Sequence, residues 1–106
     1  MKDIEKLDKE YVLHTYARNY VNFKKGVNAT LYDDENKDYI DFTSGIGVTS
    51  VGHGNARVAK RIFEQVSNLT HTSNLYAIEP QALLAKKIKE LSGYDVRTFF
   101  SNSGAE

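Results

Sequence analysis

Cysteine is absent from the 106 residues, so neither a disulfide nor a thiolate metal site can form. An intracellular protein is the simplest expectation. Net charge is also lacking: 14 Lys and Arg balance 14 Asp and Glu, and nothing draws the chain to nucleic acid or an anionic membrane. No apolar run approaches the roughly 20 residues that a membrane helix needs. The opening MKDIEKLDKE is mostly charged and unsuited to the apolar core of a signal peptide. Together these absences predict a cytoplasmic protein with no nucleic-acid and no membrane partner. Internal repeats and low-complexity segments are missing too. The three histidines, His14, His53 and His71, are too scattered to predict a metal site.

What remains is a composition with 41% hydrophobic residues, which fits a soluble globular class rather than a disordered one. The length suits one domain or part of one, with a modest buried core. Residues 2–12 space Ile4, Leu7, Tyr11 and Val12 by threes and fours, which predicts a short surface helix. An extended segment, HTYARNYVNFKKG, follows and ends at Gly26. ATLYD and YIDFT, separated by the turn residues DENK, predict a β-hairpin. Next comes a glycine-rich stretch, Ser44-Gly45-Ile46-Gly47 and then Gly52-His53-Gly54, where backbone can approach a ligand closely or merely turn.

Residues 55–69 carry a helical stripe of Val58, Ala59, Ile62, Phe63, Val66 and Leu69, with Asn55 placed to cap it. The polar linker THTSN leads to LYAIE. Pro80 then suits the first turn of a second amphipathic helix marked by Leu83, Leu84, Ile88 and Leu91, and Gly93 suits its end. On that helix Lys86, Lys87 and Lys89 read as a solvated face. VRTFF, residues 96–100, reads as a strand, and the last six residues turn out of it. The order predicts α/β or α+β architecture, ending on a βα unit whose helix is not included.

Those last six residues, Ser101-Asn102-Ser103-Gly104-Ala105-Glu106, carry the clearest chemistry. Small residues at a helix start present successive N–H groups, which attract a phosphate together with the helix dipole. The Ser103 hydroxyl adds a donor. Glu106 is placed to close a capping box with Ser103, and since Ser-x-x-Glu is a common helix start, plain capping is the first reading of the pattern taken alone.

FFSNSGAE resembles the phosphate-cup motif of the class III (ornithine/acetylornithine-type) aminotransferases that use pyridoxal 5'-phosphate (PLP). YIDFTSGIGVTSVGH resembles that family's hairpin strand and glycine-rich active-site loop. THTSNLYAIEP resembles its segment that reaches into the neighbouring subunit, and TYARNYVNFKKGVNATLYD its opening strands. The segments stand in the family's order and cover nearly all of residues 12–106.

The resemblance implies the N-terminal part of a fold-type-I PLP enzyme of α/β class. Residues 1–76 would supply a small-domain part and a dimer-crossing segment, and residues 77–106 the start of the large domain. It implies Ser103, Gly104 and Ala105 at the PLP phosphate, and Tyr16, Ile46, Asn74 and Tyr76 near the substrate. Ile46 sits where ornithine enzymes carry a tyrosine that reads a free α-amine, so isoleucine there implies an acylated amine. Asn74 and Tyr76 lie in SNLY, which resembles the acetylornithine branch. A homodimer moving the δ-amine of N-acetylornithine to 2-oxoglutarate, giving glutamate in arginine biosynthesis, is the implied activity.

Succinylornithine, succinyl-diaminopimelate, ornithine and 4-aminobutyrate are alternative donors. The family's Schiff-base lysine lies beyond Glu106, so no catalytic residue is expected among these ten lysines and the piece alone is expected to be inactive. His53 reads as catalytic or as a loop histidine, the family's base being a lysine.

Several positions depart from the family pattern. Gly52-His53-Gly54-Asn55-Ala56 lacks a second histidine and a proline, Tyr32 replaces a tryptophan, Asn28 replaces a glycine, and a proline near Tyr20 is missing. Two other classes remain: a non-catalytic interaction module, which predicts a stable monomer without PLP, and a nucleotide-binding βα protein, which predicts no PLP absorbance.

Overall fold

The computed structural model describes residues 3–106. Its contacts divide the chain into two units, one reaching Glu64 and the other Gln65–Glu106.

In the first unit, α1 (Ile4–Tyr11) begins at Asp3, whose carboxylate accepts the Lys6 N–H at 3.0 Å. Lys2, at the start of the expected helix, lies outside the described residues. Asp8 ties α1 to the following segment through Arg18 and the Tyr20 hydroxyl, both at 3.4 Å.

Three short strands follow as an antiparallel sheet in the order β1 (Phe23–Val27), β2 (Thr30–Asp33), β3 (Asp38–Ile40). The expected hairpin is present as β2 and β3, and the segment ending near Gly26 joins it as a third strand. Val27 pairs with Thr30, Tyr32 with Asp38, and an irregularity between Phe23 and Lys25 accommodates one extra residue. All four residues of β2 are half-buried, as befits the central strand, and Phe23 meets Tyr39 edge-on at 5.3 Å.

Asp33 makes the β2–β3 turn. Its Oδ1 accepts the N–H groups of Glu35 and Lys37, both at 2.9 Å, and its Oδ2 accepts the Tyr39 hydroxyl at 3.0 Å. Partial burial opposes ionisation here, yet these bonds prevail and hold the Asp33 carboxyl below its ordinary pKa.

α2 (Ala56–Asn68) starts as expected. Asn55 Oδ1 accepts the N–H groups of Arg57 and Val58 at 3.1 Å each, a cap of a kind that contributes about 1 kcal/mol.

In the second unit, α3 (Glu79–Ser92) carries Pro80 in its first turn. It stops at Gly93, whose φ of 72° and ψ of 6° close the last turn onto the Lys89 carbonyl. Lys86 pairs with Glu90, and Lys89 reaches past the helix end to Asp95.

Two expectations fail. Residues 96–100 form no strand, because a strand exists only against a hydrogen-bonding neighbour and none of the described residues supplies one. No core forms either: among the described residues none is buried as a whole, and no apolar side chain is enclosed. A folded 12.0 kDa protein exposes about 6,000 Å² of surface. This chain exposes 9841 Å². The apolar stripes of α2 and α3 are present, and nothing within these residues covers them.

Candidate substrate and cofactor site

In the first unit the glycine-rich stretch holds four consecutive residues with positive φ. Ser44, Gly45, Ile46 and Gly47 have consecutive φ values of 50°, 56°, 58° and 98°. Ser44–Gly47 is therefore one turn of left-handed helix, closed by Ile46 N–H to Thr43 O at 2.9 Å and Thr49 N–H to Ser44 O at 3.1 Å. Glycine enters this region freely. A β-branched residue does not, and each such position costs roughly 1–2 kcal/mol. Ile46 is nonetheless in the turn, with 92% of its surface exposed.

The turn is anchored at its entry by Asp41. Its Oδ1 accepts the N–H groups of Thr43 and Ser44, both at 3.0 Å. These bonds end β3 at Ile40, three residues earlier than YIDFT suggests from composition. Asp41 Oδ2 stands 2.6 Å from His53 Nε2.

His53 is fixed in turn by its main chain, which exchanges N–H···O bonds with Asn28 at 2.9 and 3.0 Å. Asn28 itself has φ 52°, so the asparagine does serve the left-handed geometry of the residue it replaces. Gly26 leaves the space for the imidazole: a Cβ on it would lie 2.5 Å from His53 Cβ. Nearby, Thr49 Oγ1 is buried with no hydrogen-bond partner among the described residues.

His53 first, then the Ser44 N–H, hold the Asp41 carboxyl below its ordinary pKa; desolvation opposes them, and the Thr43 N–H adds to them. A carboxyl with a lowered folded pKa contributes stability that is complete above its unfolded value, about 3.9, and is lost as pH falls through the folded one. Denaturant midpoints of the full-length protein should therefore drop between pH 5 and pH 3. The drop should be smaller in Asp41→Asn; equal drops would remove Asp41 as the responsible group.

Tyr16 lies on the connector between α1 and β1, largely exposed, with the Arg18 guanidinium 5.9 Å from its ring centre. No hydrogen bond joins Tyr16 to Ile46 among the described residues.

In the second unit Asn74 and Tyr76 lie in a turn initiated by Ser73, whose φ is 73°. Ser73 O accepts the Tyr76 N–H at 3.2 Å, and its Oγ accepts the Leu75 N–H at 3.3 Å. Tyr76 is 69% exposed.

At the chain's end Ser103, Gly104 and Ala105 form an exposed turn, with Glu106 N–H on Ser103 O at 3.3 Å. The expected capping box takes a different form. Glu106 reaches back to the Asn102 N–H at 2.7 Å, so its carboxylate bypasses Ser103. The backbone N–H groups of Gly104 and Ala105 make no hydrogen bond among the described residues, and Gly104 has open space where a Cβ would stand. Two free amides and a hydroxyl are a donor set that fits a phosphate.

The family profile Aminotransferase class-III matches residues 11–106, and the chain belongs to that family. It is 69% identical over 102 residues to the acetylornithine aminotransferase of Wolinella succinogenes, covering 96% of this chain and 26% of that protein. The acetylornithine aminotransferase structure from Elizabethkingia anophelis superimposes with a TM-score of 0.86 at 29% identity, over 95% of this chain and 26% of that one. The taurine:2-oxoglutarate aminotransferase of Bifidobacterium kashiwanohense, solved with PLP and glutamate, gives 0.83 at 30% identity, over 93% of this chain and 23% of that one.

The chain thus spans about a quarter of the length of the curated relatives it matches. Its fold is that of the N-terminal part of class III aminotransferase structures. No helix among the described residues is long and apolar enough to cross a membrane.

The site residue that sequence reasoning missed is Asp41. Its partner lies twelve residues away across an irregular loop, where no periodicity links the two.

Proposed function

We propose that this chain is the N-terminal part of a homodimeric, cytoplasmic, PLP-dependent aminotransferase that moves the δ-amine of N-acetylornithine to 2-oxoglutarate. The identity of 69% with a relative named acetylornithine aminotransferase carries this reading. Residues 1–76 are taken as the small-domain part and dimer-crossing segment, and residues 77–106 as the start of the large domain.

PLP, when bound, supplies the electron sink for amine transfer. Toward it, Ser103 would offer its hydroxyl and Gly104 and Ala105 their N–H groups to the phosphate. Tyr16, Asn74 and Tyr76 would line the approach of the substrate. Ile46 would face the acylated end, where its side chain offers apolar surface and no acceptor. A free α-ammonium placed against it would lose hydration without gaining a partner.

The test uses the full-length protein with PLP and 2-oxoglutarate, reading glutamate formation. kcat/KM for N-acetylornithine should exceed that for ornithine and for 4-aminobutyrate by about a hundredfold. Equal or greater activity with ornithine or 4-aminobutyrate would overturn the substrate reading. A protein that shows no PLP absorbance would overturn the cofactor reading as well.

A further inference from the structure

We propose that Asp41 and His53 act as a positioning pair that holds the left-handed turn Ser44–Gly47 in place and so sets where Ile46 stands toward the substrate's acylated end. The substrate half of this statement rests on the function proposed above; the latch itself rests on geometry alone.

A run of four residues with positive φ, two of them not glycine, does not persist by its own preference. Something outside the turn must over-determine it. Within the turn only a few backbone bonds are available, and each would also form in looser loops. The decisive constraints lie at its two ends.

At the entry, one carboxylate oxygen of Asp41 takes two successive backbone N–H groups, Thr43 and Ser44, and so dictates the direction in which the chain leaves β3. Asp41 is itself tethered by its own N–H to Ala29 O at 2.8 Å. At the exit, His53 pairs through both main-chain groups with Asn28. Entry and exit are therefore pinned to adjacent residues of the same β1–β2 turn.

The second Asp41 oxygen then joins the ends directly at His53 Nε2, 2.6 Å away. The contact is well sheltered: the Asp41 side chain is 7% exposed and that of His53 is 20% exposed. Closing the loop at three points leaves the intervening residues few conformations, and the left-handed turn is the one adopted.

Gly26 has its explanation here. No positive φ requires glycine at that position; the requirement is steric, because any Cβ would strike the imidazole. The flanking glycines serve the same docking. Gly52, at φ 89°, lies against the Asn28 backbone, and Gly54, at φ 67°, has the Gly26 carbonyl 3.0 Å from where its Cβ would stand. His53 is thus committed to Asp41 and acts on the substrate only through the loop.

The experiment compares the full-length enzyme with Asp41→Ala, His53→Ala, their double variant, His53→Gln and Gly26→Ala. Two readouts are taken: amide hydrogen exchange over residues 43–52, and KM and kcat for the amine donor. Both single alanine variants should speed exchange at Thr43 and Ser44 and raise KM about tenfold, with kcat changed less. The double variant should be no worse than Asp41→Ala alone, which already removes the His53 contact together with the bonds to Thr43 and Ser44. His53→Gln, whose amide N–H can reach Asp41 Oδ2, should recover most of the loss. Gly26→Ala should reproduce the defect while keeping both polar groups, and it decides the matter if the alanine variants fail to fold.

Unchanged exchange in folded variants, or additive losses in the double variant, would overturn the latch. Faster exchange with unchanged KM would overturn its role toward substrate. If the wild-type enzyme prefers another amine, the substrate reading fails separately, and the same constants are measured with that amine. If it transfers none, the exchange readout still judges the latch.

Discussion

Residues 1–106, made as an isolated polypeptide, should show no cooperative thermal unfolding, bind a hydrophobic dye strongly and transfer no amine. The reason is the missing interior. Hydrophobic burial is the main favourable term in folding, and each fully buried Val, Leu, Ile or Phe contributes about 1.5–3 kcal/mol relative to exposure. Here none of the described residues is buried. Phe63 on α2 is 73% exposed, and Leu91 on α3 is 76% exposed.

What holds the chain locally is the three-stranded sheet, the helix caps and the Asp33 and Asp41 hydrogen bonds. Such local bonds contribute modestly each and must offset backbone ordering of about 1–2 kcal/mol per residue. Circular dichroism against temperature, with sedimentation at several concentrations, checks this. A sigmoidal melt from a 12.0 kDa monomer would show that the piece folds by itself.

The second large effect concerns specificity. In the full-length enzyme, Ile46→Tyr should shift the ratio of kcat/KM for N-acetylornithine over ornithine by about a hundredfold toward ornithine. Ile46 has no polar atom, and its exposure leaves it free to face a ligand. On the function proposed above, a tyrosine hydroxyl would supply the acceptor that a free α-ammonium lacks in the wild-type site, while its ring would crowd the acyl group. Melting temperature should hardly move, because both side chains occupy the same exposed left-handed position. A ratio that stays within twofold in a folded variant would show that position 46 does not read the substrate.

Much of the framework was legible because it depends on neighbours in sequence. Asn55 announces α2, Pro80 places the start of α3, and Gly93 ends it through a left-handed cap that few other residues tolerate. The α2 stripe follows from helical spacing alone. Residues 96–100 show the limit of such reasoning. Their β-forming composition is real, but a strand is a relation between segments, and these residues have no partner among those described.

The site was half legible for the same reason. Gly45 and Gly47 signal unusual backbone, and SNSGAE signals amides free to take a phosphate. Nothing in the types of Ser44 or Ile46 signals positive φ. The carboxylate that steers them, Asp41, looks in the sequence like one more residue of a β-strand. Glu106 erred by one position for a similar reason: spacing puts it at Ser103, while the actual turn brings it to Asn102.

The left-handed turn has a consequence for how such a site can change over time. Every L-residue but glycine, with some relief for asparagine and aspartate, meets a penalty of similar order at Ile46's φ and ψ. Exchanging one large side chain for another there leaves that penalty largely in place and disturbs no packed neighbour among the described residues. Side chains at position 46 can therefore be exchanged at little cost to the local backbone, and on the function proposed above this is where new donor preferences would be sampled.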